Sequence, residues 1–119
     1  MEQLKLFDLE IYQLSHQLGE EIWELAVVWD YFSKSALGKQ IVRSADSVSL
    51  NICEGYGRFF YKEKKLFFYY ARGSLYETIE AVRKAYVRKL ISQEKFEFLS
   101  GLMVELGRKL NNYIKTIGE

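Results

Sequence analysis

Glu54 and Glu77 are the carboxylates whose neighbours suggest a shared polar site. Ser44, Ser47, Asn51, Glu54 and Arg58 recur at spacings of three, four, three and four. That spacing lines them along one helix face. Further on, Gly73, Ser74 and Glu77 again combine small and polar groups, and small residues let two helix backbones approach closely. Two chemistries follow. In the first, Asn51 hydrogen-bonds across the gap and the layer fixes the register of two helices. In the second, Glu54 and Glu77 pair, able to do acid–base work or to hold a metal. A di-iron bundle also needs Glu-x-x-His pairs, and the single histidine, His16, forms none. The Gly55-Tyr56-Gly57 run has no preceding strand and no third glycine, so it is a poor dinucleotide loop. No cofactor, no metal site and no catalytic residue is expected.

A second group is aromatic and basic. Phe59 to Tyr70 places rings in every helical direction, interleaved with Lys62, Lys64 and Lys65. Such rings stack on unpaired bases while lysines meet phosphates, or they anchor a subunit interface. The interface reading falls on Phe59, Phe60, Phe68 and Tyr69. The nucleic-acid reading falls on Arg58, Lys62, Lys64, Lys65, Arg72, Arg83, Lys84, Arg88 and Lys89. A solvated basic helix face, balanced by acids of a neighbour, is the plainer alternative.

These residues need elements to hold them, and the pattern supplies four helices. The first is expected from about Asp8, as N-cap, to Tyr31, with Ile11, Ser15, Leu18, Ile22, Leu25 and Trp29 at alternating spacings of four and three. The second starts at Ser33 or Ser35 and runs to about Tyr56 through Leu37, Ile41, Ala45, Val48 and Ile52. Gly55 and Gly57 mark its exit, where a left-handed residue can close the last turn. The third runs from about Tyr61 to Leu90, with Leu66, Phe67, Tyr70, Ser74, Ala81, Val82 and Ala85 offered to the core. Ser92 caps the fourth, whose stripe from Phe96 to Ile114 ends near Gly118. No segment alternates as a strand does. The expectation is all-α: an antiparallel up-and-down four-helix bundle, one domain over residues 1–119.

Composition agrees. The chain has 119 residues, 49% of them hydrophobic and 28% charged, and no proline, a globular balance suited to long uninterrupted helices. One cysteine, Cys53, excludes an internal disulfide. No apolar run is long enough for a membrane span and Met1 to Glu10 lacks a signal-peptide pattern, so the expected compartment is the cytoplasm, with no membrane partner. The net charge is only +1, yet residues 1–32 are acidic and residues 33–91 strongly basic. A basic face on a near-neutral protein follows unless the acidic helix packs beside it.

Asn51-Ile52-x-Glu54-Gly55-Tyr56-Gly57-Arg58, the following Lys62-Glu63, and Ala71-Arg72-Gly73-Ser74-Leu75-x-Glu77 resemble a known signature. It is that of the four-helix-bundle proteins named after the intervening sequences of bacterial 23S rRNA genes, also labelled ribosomal-protein-like. Phe7-Asp8-Leu9, Leu37 and Gln40-Ile41-x-Arg43 extend the resemblance over nearly the whole chain. It implies a ring-like homopentamer with an accessory role in binding RNA or DNA, and no enzyme activity. The signature positions here are Asn51, Glu54, Gly55, Gly57, Arg58, Gly73, Ser74 and Glu77, with Ser47 on the same face. The family often has proline where this chain reads Val48-Ser49-Leu50, which implies a straighter second helix here. Three functions stay open: an oligomeric nucleic-acid-binding protein, a homo-oligomeric scaffold whose protein partner is unidentified, and an enzyme built on Glu54 and Glu77.

Overall fold

The four-and-three spacings resolve into four antiparallel rods. The computed structural model describes residues 2–118; Met1 and Glu119, included in the span expected from sequence, lie outside the described residues. A short 3-10 segment, Glu2–Asp8, leads into α1 (Glu10–Ala26). The second rod begins as α2 (Tyr31–Ser33), passes through a π turn (Lys34–Gly38) and continues without interruption as α3 (Lys39–Tyr56). The third and fourth rods are α4 (Tyr61–Val87) and α5 (Gln93–Thr116). No strand occurs among the described residues. Each rod packs on those before and after it, and α5 closes the bundle against α1.

Register is visible in the contacts between rods. Lys95 pairs with Glu21 and Lys109 with Glu10, so α5 ascends as α1 descends. Thr78 meets Ser44 while Phe68 lies against Gly55, which makes α3 and α4 antiparallel too. The core is the apolar seam: Ile11, Leu18 and Ile22; Leu37, Ile41, Ala45, Val48 and Ile52; Leu99, Leu106 and Leu110 are all buried. Removing these side chains from water is the main favourable contribution to folding, at about 1.5–3 kcal/mol for each large one.

Corners differ from the sequence expectation for local reasons. Asp8 is not a cap: Leu9 holds the N-cap position of α1 without a side-chain bond. The first rod stops at Ala26 rather than near Tyr31, because Asp30 caps the next rod, accepting from the Ser33 amide at 2.9 Å and from its hydroxyl at 2.9 Å. These bonds to the carboxylate hold Asp30 below the usual range, the backbone amide contributing most. Gly57 does not close a left-handed turn, since its φ is −79°. Ser92 does cap α5, accepting from the Lys95 amide at 3.1 Å.

The left-handed residue stands elsewhere, at Lys89 with φ 64°. Beyond α4, the Lys89 amide donates to the Tyr86 carbonyl (3.0 Å) and the Leu90 amide to the Ala85 carbonyl (2.8 Å). This is a Schellman ending with lysine where glycine is favoured. Lys89→Gly is therefore expected to raise stability by about 0.5–1 kcal/mol, read as a higher urea midpoint at unchanged slope.

Candidate assembly and nucleic-acid interface

The polar signature is built from two rods and serves several separate purposes. Asn51 does not reach across to α4; its Nδ2 donates to the Ser47 carbonyl one turn back, at 2.9 Å. The polar contact that does cross is Thr78 Oγ1 donating to Ser44 Oγ at 3.1 Å, both groups buried. The Ser74 carbonyl lies 2.8 Å from the same hydroxyl, so its one proton is shared between the two acceptors and the rotamer is fixed. Thr78 was not singled out from sequence, although its place four residues after Ser74 and among Leu75, Ala81 and Val82 marks the inner face.

Glu54 and Glu77 do not form a carboxylate pair. Ser44 is level with Thr78, and Glu54 lies ten residues further along α3. At 1.5 Å rise per residue that is a separation of about 15 Å along the bundle. Both side chains are exposed, and Glu54 instead pairs with Arg58 at 3.1 Å. The paired-carboxylate geometry that an acid–base reading of these two residues needs is therefore not formed within the chain. Among the described residues no group of three or more His, Cys, Asp or Glu side chains gathers to hold a metal.

Gly55 owes its place to close packing. A Cβ there would lie 3.1 Å from the Phe68 ring and 3.2 Å from the Lys64 carbonyl, so α3 and the first turns of α4 meet through this glycine. Gly57 has only ordinary neighbours, and Gly73 has none within 4 Å. The expectation that Gly73 brings two rods of one chain together is thus corrected: it faces outward, at the middle of α4.

The ring-rich stretch divides into an inner and an outer set. Phe68, expected at an interface, is 1% exposed and belongs to the core, packed on Gly55 and Tyr113. Phe59 (83% exposed) and Phe60 (63%) pack edge to face on the corner between α3 and α4. On α4, Leu66 (44%), Tyr69 (44%), Gly73 and Tyr76 (63%) recur at spacings of three, four and three. This outer seam lies opposite the core seam of Phe68, Ala71, Leu75, Thr78 and Val82. Leu66 and Tyr70, expected inside, are on the outer side.

The basic residues also divide. Arg58 pairs with Glu54 and lies over the Phe67 ring at 4.6 Å. Lys64 donates to the Tyr56 carbonyl at 2.9 Å. Arg72 donates to Asn111 at 3.0 Å and covers Tyr69 at 4.9 Å. Arg83 stands 3.9 Å from Glu80. Lys62, near the start of α4, and Lys84, Arg88 and Lys89, at its end, are exposed. The two groups stand at opposite ends of α4, about 33–40 Å apart at 1.5 Å per residue. Lys65, half-buried, lies with the first group.

On the opposite side, Asp46 of α3 lies against Gly19 of α1. Burial pushes its carboxyl above the usual 3.8, Glu20 adds to that, and His16 opposes it. The folded state therefore holds this proton more readily than the unfolded chain, so the contribution falls as pH rises from about 3.8 through the raised folded value. Asp46→Asn is expected to be more stable than the parent in urea at about pH 7, with the difference narrowing toward about pH 4. Burial likewise pushes the Cys53 thiol up, which makes it a poor nucleophile.

An all-helical bundle of four antiparallel rods, with an Asn-Ile-x-Glu-Gly-Tyr-Gly-Arg corner between α3 and α4, is the class of fold this chain presents. The family described as 23S rRNA-intervening sequence protein matches residues 7–112, and the chain belongs to that family. Among solved structures it is similar to a protein of unknown function from the S23 ribosomal protein family of Bacteroides thetaiotaomicron. That likeness has a TM-score of 0.79 at 22% identity and covers 89% of this chain and 99% of that one. No curated protein matches the chain. No helix among the described residues is long and apolar enough to cross a membrane.

Proposed function

We propose that this chain is a non-enzymatic subunit of a ring-like homo-oligomer, a pentamer by its family resemblance, and that the ring binds nucleic acid in an accessory role. The observation that supports assembly most is the outer seam of α4. Leu66, Tyr69 and Tyr76 repeat as a helix-packing stripe while facing away from the core, and the glycine among them leaves room for close approach by another backbone. Glycine inside a helix costs about 1 kcal/mol relative to alanine, and Gly73 has no neighbour within its own chain that needs the space.

Nucleic-acid binding rests on the exposed cations Lys62, Lys84, Arg88 and Lys89. One subunit presents too few of them in one place, and a ring repeats each group about its axis. Electrophoretic mobility of a single-stranded RNA is expected to show affinity that weakens with salt, with a log–log slope of about −0.7 for each phosphate contacted. Changing Lys84, Arg88 and Lys89 to glutamate is expected to abolish the shift while leaving assembly intact. Salt-independent binding, or binding unaltered by those changes, contradicts the nucleic-acid part.

A protein scaffold is the second reading. It is favoured by the internal use of Arg58, Lys64 and Arg72, which removes three cations from the nucleic-acid set. Specific capture of one protein that survives nuclease treatment, without RNA affinity, selects it.

A further inference from the structure

The π turn between α2 and α3 has a consequence on the surface. In an α-helix, side chains five apart diverge by about 140°. Here the Lys39 amide donates to the Lys34 carbonyl, so the wider turn brings positions 34 and 39 one above the other. Arg43 follows four residues later on the same face. The three cations border a groove of about 410 Å³ between α1 and the second rod. Its walls are Trp23, Ala26, Val27 and Val42, and Gly38 lies at its base. No acidic residue lines it, and none of the three cations has a carboxylate partner among the described residues.

We propose that this groove is a binding site for a small amphipathic organic anion, a carboxylate carried on an aliphatic or aromatic body. The volume is that of a small-molecule site, and such sites combine apolar walls with a few placed polar groups. The cations supply what an anionic head needs, and the walls what its body needs. Charge disfavours the outer α4 seam of a second copy as occupant. That seam is flanked by Lys62, Lys65, Arg72 and Arg83 against Glu63 and Glu80, and this excess of positive charge would meet like charge at the groove. The π turn is what assembles the site, since a regular helix would move Lys34 away from Lys39. The site is independent of the outer seam and of nucleic-acid binding.

Octanoate is a suitable probe, with octanol and inorganic phosphate as controls. Titration calorimetry with the full chain is expected to show saturable octanoate binding. Amide shifts in heteronuclear NMR are expected to centre on residues 23–27 and 34–43. Octanol and phosphate are each expected to bind at least about tenfold more weakly, because each offers half of the recognition. Lys39→Gln combined with Arg43→Gln, both exposed positions that leave the core intact, is expected to weaken octanoate by at least about tenfold. Equal affinity for octanol, unchanged binding by the double variant, or shifts spread through the core overturns the proposal. So does displacement of these signals by a single-stranded RNA with no response to octanoate, or by protein concentration alone, which would give the groove to RNA or to a second copy.

Discussion

Phe68→Ala is expected to destabilise the protein by about 3–5 kcal/mol, a large part of the 5–15 kcal/mol that holds a typical domain together. Phe68 is the largest fully buried side chain. Its ring fills the space that Gly55 leaves open on α3 and touches Tyr113 on α5 at 5.1 Å between centroids. Three rods therefore lose contact when it is truncated, and a cavity is left where they meet. Phe59→Ala and Phe60→Ala, by contrast, are expected to change the stability of a single chain by about 0.5 kcal/mol or less. Urea unfolding monitored by far-UV circular dichroism separates these outcomes. Similar losses for all three would mean that Phe68 is not the inner ring of this corner.

Tyr69→Glu combined with Tyr76→Glu is expected to do the opposite: keep the fold and disrupt the assembly. Both rings are on the outer seam, so their loss leaves the core of Phe68, Ala71, Leu75 and Val82 untouched. At an interface, two central tyrosines contribute about 2 kcal/mol or more each. Their replacement by buried charges then weakens subunit association by at least about 10³-fold. Helical content and urea midpoint of the isolated chain are expected to stay close to those of the parent. Unfolding of the double variant as a single chain would place these tyrosines in the fold rather than in the assembly.

Much of the bundle was legible in the sequence because its seams are regular. Ile11, Ser15, Leu18 and Ile22 on α1, and Ile41, Ala45, Val48 and Ile52 on α3, follow the four-and-three spacing and are buried. The inner face of α4 was not legible at its start, since two apolar seams share that helix in the same rhythm. The heavier residues, Leu66, Tyr69 and Tyr70, are on the outer side, while alanine and threonine at positions 71 and 78 line much of the inner one. Weight by hydrophobic size points to the wrong face when the core side is narrow.

The polar site was legible in part for a related reason. Ser44 stood out and does cross to α4, but its partner Thr78 is a polar residue within an apolar stripe and carries no mark of its own. Asn51 had a partner within reach on its own helix, the Ser47 carbonyl, and a local bond forms at no cost in register. The π turn is the least legible element. Lys34-Ser35-Ala36-Leu37-Gly38 reads as ordinary helix, and Leu37 and Ile41, four apart, are buried as that reading expects. Nothing in these residue types marks the wider turn.

Assembly through the outer α4 seam is the central claim, and the mass of the particle in solution tests it most directly. Light scattering coupled to gel filtration of the parent chain is expected to give about five times the 14.1 kDa of one subunit, falling to one subunit in the Tyr69→Glu, Tyr76→Glu variant. A parent that elutes with the mass of a single chain across the accessible concentration range contradicts the claim.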